Sequence, residues 1–197
     1  LAGLGINPGE TVVSMLDNNI DAIVCWLAAN KIGAVFVPVN TALKGEFLRH
    51  QVSDAGAKLV VCEQDYVDRF AEISTSLPAV QYLLHRGDWK GAKMAGLKVE
   101  PLDRHRGSDT SAIEFRPMPS DLSALIYTSG TTGPSKGCML SYNFMCNLAR
   151  LQLRAGPANE NDVTITPLPL FHLTTTHRFI NAPSSIPGTR GRGGARC

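Results

Sequence analysis

The sequence predicts an α/β fold, a mostly parallel sheet flanked by helices on both faces. Three observations lead there. Short apolar runs rich in β-branched residues read as strands, and stretches with apolar residues at three- and four-residue spacing read as helices. The two alternate at the spacing of βαβ units, whose right-handed crossovers make neighbouring strands parallel.

The first strand follows the Pro-Gly turn "INPGE" and covers "TVVSML", Thr11 to Leu16. Asp17, Asn18 and Asn19 then offer N-cap oxygens, and Ile20, Ile23, Val24, Leu27 and Ala28 set out a helix up to Ile32, with Gly33 as its stop. "AVFVPV", Ala34 to Val39, is the next strand, with Pro38 at its end because proline cannot donate to a ladder. A helix from Lys44 to Ala55 shows Phe47, Leu48 and Val52 on one face, and Gly56 ends it. Strand "KLVVC" (Lys58 to Cys62), a helix over about Gln64 to Thr75 and a strand over about Val80 to Leu84 continue the series. Residues His85 to Ser120, rich in Gly, Pro and charge, read as a long surface connection holding one short strand at Leu97 to Val99. "LSALIYT", Leu122 to Thr128, is a buried strand, "GCML" (Gly137 to Leu140) a second short one, and Ser141 caps a helix whose face is Phe144, Met145, Leu148 and Leu151.

Composition narrows the class of function. A chain of 197 residues reads as one domain or a large piece of one. Its net charge of +2 argues against a general nucleic-acid or membrane-surface partner, which needs a dense basic face. No apolar run reaches the roughly 20 residues of a membrane span. The cysteines Cys25, Cys62, Cys138, Cys146 and Cys197 are odd in number and form no C-x-x-C pair, the pattern of a reducing, cytoplasmic setting. The His and Cys positions have no metal-ligand spacing. The chain begins with Leu1 and no basic, apolar leader, so its start reads as an internal cut.

One stretch points to chemistry. "YTSGTTGPSKG", Tyr127 to Gly137, leaves the end of a predicted core strand, the place where open α/β sheets bind ligands. Gly130, Gly133 and Gly137 let backbone N–H groups approach a ligand and form a concavity that favours an anion. Thr128, Ser129, Thr131, Thr132 and Ser135 add hydroxyl donors, and Lys136 adds a mobile positive charge suited to phosphate. A polyphosphate fits these groups best. The loop is not a Walker A motif, since no glycine directly precedes Lys136 and Gly137 stands where the Ser or Thr that holds magnesium would be. Of the other conspicuous residues, Trp26 and Phe36 read as core, Cys138 as a buried structural thiol, and Leu170 and Phe171 as either pocket lining or sheet packing.

The whole of "YTSGTTGPSKG" resembles the signature phosphate loop of the adenylate-forming superfamily, which comprises acyl-CoA synthetases, luciferases and peptide-synthetase adenylation domains. "DNNIDAIVCWLAANKIGAVFVPVN" (Asp17 to Asn40) is similar to the family's early helix and following strand, and "PLPLFH" (Pro167 to His172) resembles the motif ahead of its acyl pocket. Within the family the likeness is to fatty-acyl and carnitine-type CoA ligases. The resemblance implies an enzyme that activates a small-molecule carboxylate with ATP, releases pyrophosphate, and passes the acyl group from its adenylate to the thiol of CoA. It implies that Thr128, Ser129, Gly130, Thr131, Thr132, Gly133 and Lys136 embrace the β- and γ-phosphates. Mg²⁺ would arrive with ATP, and His172 would border the carboxylate and the α-phosphate, positioning without proton transfer.

The likeness runs to about Thr174, and we set the family-like domain at 1–176. The remaining 177–197, ending "TRGRGGARC", is Gly, Arg, Pro and Ser in character and reads as a disordered, non-family tail; a fragment end, a retained intron or a frame change explains it better than an RGG-like RNA-binding role. The family's later elements, including the magnesium-binding glutamate, the ribose-gripping aspartate and the small C-terminal domain with its lysine, have no counterpart in the sequence. The expected activity of this chain alone is therefore slight, and a catalytically inactive isoform acting as a binding or interaction module is the alternative. Its oligomeric state is not legible in the sequence.

Overall fold

In the computed structural model, residues 1–91, 94, 96–107, 114–128, 133–155 and 168–172 are described. The seven strands found among them are β1 (Thr11–Met15), β2 (Val35–Pro38), β3 (Leu59–Glu63), β4 (Tyr82–Arg86), β5 (Lys98–Pro101), β6 (Leu122–Thr128) and β7 (Lys136–Ser141). They form one sheet in the order β5-β4-β3-β1-β2-β6-β7. All pairings are parallel except β6 with β7, so the expected α/β class and mostly parallel sheet are found.

The central strands are apolar on both sides because both faces are covered. On β1, Val12 and Val13 are fully buried yet point to opposite layers. One layer packs Val12, Phe36, Val61 and Ile126 beneath α1 (Ile20–Lys31) and α4 (Tyr142–Ala155). The other packs Val13, Val37, Val60 and Leu83 beneath α2 (Gly45–Asp54) and α3 (Val67–Ile73). Trp26 and Phe36 are core residues as expected, their ring centroids 6.2 Å apart.

The helix termini follow the cap signals. Asn19 Oδ1 accepts from the Ala22 N–H at 3.2 Å and Ser141 Oγ from the Phe144 N–H at 3.2 Å. Gly33, just past α1, has φ 78°, the left-handed conformation that side chains resist.

The buried helix faces differ from those expected. On α1 the stripe Asp21, Ala22, Cys25, Trp26 and Ala29 faces the core, while Ile20, Val24 and Leu27 are exposed. Both stripes have helical period, and only the placement of Trp26 against Phe36 separates them. On α2, Leu48, Gln51 and Val52 are buried, whereas Phe47, one residue and about 100° round the helix, is exposed. On α4 the core contacts are Met145 and Ala149; Phe144 and Leu151 are exposed. The connection expected from His85 begins later, because β4 continues through Arg86 and His85 is buried.

Cys138 is exposed, not a buried structural thiol. It lies on β7, the last strand of the sheet, where helical cover reaches Leu140 but not the start of the strand. Cys25 and Cys62 are the buried thiols, with burial pushing Cys25 up to about 12, aided by the nearby Asp21 charge, and raising Cys62 as well. Iodoacetamide at mildly alkaline pH is therefore expected to modify Cys138 in the folded chain and to spare Cys25 and Cys62 until denaturant is added. Peptide mass spectrometry checks this, and labelling of Cys25 without denaturant would contradict the packing.

No helix among the described residues is long and apolar enough to cross a membrane.

Candidate functional site

The predicted loop is the turn of the β6–β7 hairpin. Thr128 and Lys136, the last residue of one strand and the first of the other, are cross-strand partners. β6 is parallel to β2, so this turn opens at the carboxyl ends of the parallel strands, the expected ligand edge. Thr128, Gly133 and Lys136 are described and exposed; Ser129, Gly130, Thr131 and Thr132 lie outside the described residues.

Both arms of the hairpin are tied to α2. His50 Nε2 donates to the Ser135 carbonyl at 2.8 Å, and Gln51 Nε2 donates to Ser135 Oγ at 3.0 Å. On the other arm the Tyr127 hydroxyl donates to Asp54 Oδ2 at 2.6 Å, and burial followed by this hydrogen bond raises the tyrosine's pKa. The ring of Tyr127 meets His50 edge-on and covers Gly137, where a Cβ would stand 3.2 Å from a ring carbon. A larger residue there would push on the Tyr127 ring, so the close approach, and not backbone conformation, favours glycine. Lys136 is thus flanked by two residues, Ser135 and Gly137, that the rest of the fold holds.

This brace was not legible in the sequence. His50, Gln51 and Asp54 share a helix side at three- and four-residue spacing, which marks a polar stripe beside the apolar one, but nothing local names a partner some 80 residues away. Gln51 is buried and its Oε1 has no hydrogen-bond partner. Gln51→Met removes that unsatisfied acceptor together with the bond to Ser135, so stability should stay within about 1 kcal/mol of wild type. The same change is expected to loosen the arm beside Lys136 and speed hydrogen exchange of the backbone amides there several-fold; thermal melts and exchange rates separate the two effects.

His172 ends a second segment at the same sheet edge. Its N–H donates to the Pro169 carbonyl at 3.0 Å, closing a turn, and its side chain is exposed. Leu170 and Phe171 line an apolar crevice of about 310 Å³, counting its open mouth, with Leu16, Ala22, Trp26 and Phe36 among its walls. Leu170 packs against the core, so of the two readings open for these residues, sheet packing holds for Leu170. The residues from Leu173 onward, including the expected tail, lie outside the described residues.

A polar network backs this edge. Glu63, at the end of β3, accepts from Asn19 Nδ2 at 2.7 Å and the Asp17 N–H at 3.3 Å, and pairs with Arg86 at 3.3 Å. Arg86 Nε also donates to the buried Asp21 at 2.8 Å, and Arg106 lies 2.8 Å from the other oxygen of that carboxylate. Burial pushes the Asp21 carboxyl up, but the hydrogen bonds and charges of the two arginines outweigh it and hold the group below its ordinary 3.8.

Residues 1–189 match the family model described as AMP-binding enzyme. The chain is 30% identical over 184 residues to 4-coumarate–CoA ligase 5 of Oryza sativa subsp. japonica, a match covering 91% of this chain and 32% of that protein. It is 27% identical over 196 residues to a long-chain-fatty-acid–CoA ligase of Escherichia coli O157:H7, covering 87% of this chain and 35% of the other. The crystal structure of ATP-bound MatB from Rhodopseudomonas palustris superposes with a TM-score of 0.75 at 27% identity, over 94% of this chain and 35% of that one. The chain spans about a third of the length of these curated relatives.

Proposed function

Because the chain belongs to the AMP-binding enzyme family, we propose that it is the phosphate-gripping portion of an ATP-dependent carboxylate–CoA ligase. The observation that supports this most is the pairing of Thr128 with Lys136 at the mouth of a hairpin whose two arms are braced by α2.

The chemistry follows from what the chain supplies. A carboxylate has no good leaving group, whereas its mixed anhydride with AMP has one. In the ligase reaction a carboxylate oxygen attacks the α-phosphorus of ATP and pyrophosphate departs; the CoA thiol then displaces AMP to give the thioester. Lys136, the hydroxyls of Thr128, Ser129, Thr131 and Thr132, and the amides at Gly130 and Gly133 hold the β- and γ-phosphates in line and stabilise the charge that builds on them. Preorganisation is the brace's contribution, since the hairpin arms at Tyr127 and Ser135, already fixed by α2, need not be ordered when the nucleotide arrives. His172 positions the carboxylate through its ring. Mg²⁺ enters as part of the ATP complex; among the described residues no three His, Cys, Asp or Glu side chains gather to form a site of their own.

The curated relatives are named for 4-coumarate and long-chain fatty acids, so aryl and long-chain carboxylates are the substrates to try first. ATP–pyrophosphate exchange tests the reading: acid-dependent return of labelled pyrophosphate into ATP supports a ligase, and failure both to exchange and to bind ATP overturns it. The chain's one-third share of its relatives' length favours a second reading, a polyphosphate-binding module without turnover. ATP binding with no exchange for any acid would select that one.

A further inference from the structure

Four residues, Leu16 to Asn19, separate β1 from α1, and the last three, Asp17, Asn18 and Asn19, each have a side-chain oxygen that suits a helix cap. Only Asn19 is used for that purpose. Asn18 reaches across the fold: its Nδ2 donates to the Leu168 carbonyl at 3.2 Å, and its Oδ1 accepts from the Leu170 N–H at 2.8 Å. One planar amide thus meets an acceptor and a donor two residues apart, as a neighbouring strand's peptide would, and fixes the segment in both position and direction.

We propose that Asn18 is a positioning residue for His172, setting the segment Leu168 to His172 against the carboxyl end of β1. The proposal rests on the ligase reading for what His172 does, but not for the clamp itself. The other restraints leave Asn18 a distinct task. Leu170 anchors by packing into the apolar layer, which is tolerant of sliding, and the Pro169–His172 turn sets local shape only. The Asn18 amide alone among these is directional. Its own backbone is held on both sides, because Glu63 grips the Asp17 N–H and the Asn19 side chain, and the Tyr66 hydroxyl donates to Asp17 Oδ1 at 2.8 Å. The hub of that network, Glu63, is buried and paired with Arg86, so the clamp stands on a rigid base. Asn18 itself is exposed, and its replacement leaves no polar group stranded in the core.

The test compares Asn18→Leu, which loses both bonds at similar size, with Asn18→Asp, which keeps the acceptor for the Leu170 N–H. In hydrogen exchange read by NMR on the full chain, Asn18→Leu is expected to speed exchange of the Leu170 amide about five- to tenfold with β1 and α1 amides unchanged, and Asn18→Asp to retain most of the protection. If the Leu170 amide exchanges at the wild-type rate in Asn18→Leu, or if Asn18→Asp loses protection as fully, the clamp is refuted. Where exchange with ATP and pyrophosphate is measurable, Asn18→Leu should raise KM for the carboxylate several-fold and leave KM for ATP alone; equal changes in both would overturn the positioning role. An undetectable reaction in the wild type would remove the ligase reading, and the amide measurement would still decide the clamp.

Discussion

Lys136→Ala is expected to lower ATP–pyrophosphate exchange by about 100-fold or more while the melting temperature stays at the wild-type value. The lysine is exposed at the first position of an edge strand, so its side chain contributes little to packing. Its backbone is held by its surroundings: it pairs with Thr128, Ser135 before it is bonded to α2, and Gly137 after it lies under Tyr127. Truncation removes a positive charge from where the leaving phosphates would lie and leaves the loop's shape intact. Lys136→Arg should fall between the two, since the charge survives but a planar fork replaces a compact ammonium on a flexible stem. Wild-type exchange in a folded Lys136→Ala chain would refute the assignment.

Arg86→Ala is expected to be the most damaging of these substitutions for stability at neutral pH, read as the largest fall in melting temperature. Arg86 joins two buried carboxylates, Asp21 and Glu63, that belong to α1 and β3. The loss is smaller than for a wholly buried pair, because Arg86 is itself 43% exposed and Arg106 still faces Asp21. The pH dependence has a definite sign. The folded Asp21 carboxyl titrates below its ordinary 3.8, so its contribution is fully present above that value and is lost as pH falls through the lower, folded one. Urea melts should therefore separate wild type and variant most at neutral pH and bring them closer as pH falls below 3.8. A gap of constant size across that range would place the effect elsewhere.

The parts of this molecule that sequence disclosed are those governed by local chemistry. The short apolar runs gave all seven strands to within two residues, and the cap residues Asn19 and Ser141 do what their amide or hydroxyl oxygens suggest. Which face of a helix is buried was harder. α1 has apolar residues nearly all round, so periodicity admits either the Ile20–Val24–Leu27 stripe or the Cys25–Trp26–Ala29 stripe, and the choice is made by contact with β2. The same holds for Cys138, whose exposure depends on how far helical cover reaches along β7. At the site, the loop's residue types suggest an anion, and the structure pairs Thr128 with Lys136 across the two strands of the hairpin. The groups that steady the loop and the histidine segment, Gln51 and Asn18, were hidden because their partners are distant in the chain and their own neighbourhoods offer a ready local explanation.

The place of β6 in the sheet has a bearing on when this grip comes into being. β1 through β5 join neighbours that lie near them in the chain, but β6 docks on β2 through Phe36 and Ala124, across the longest excursion of the polypeptide between adjacent strands. Loop-closure entropy makes such a junction slow to form, so it closes after the rest. A nascent chain would acquire its scaffold first and the β6–β7 hairpin last, when these two strands are zipped onto the sheet.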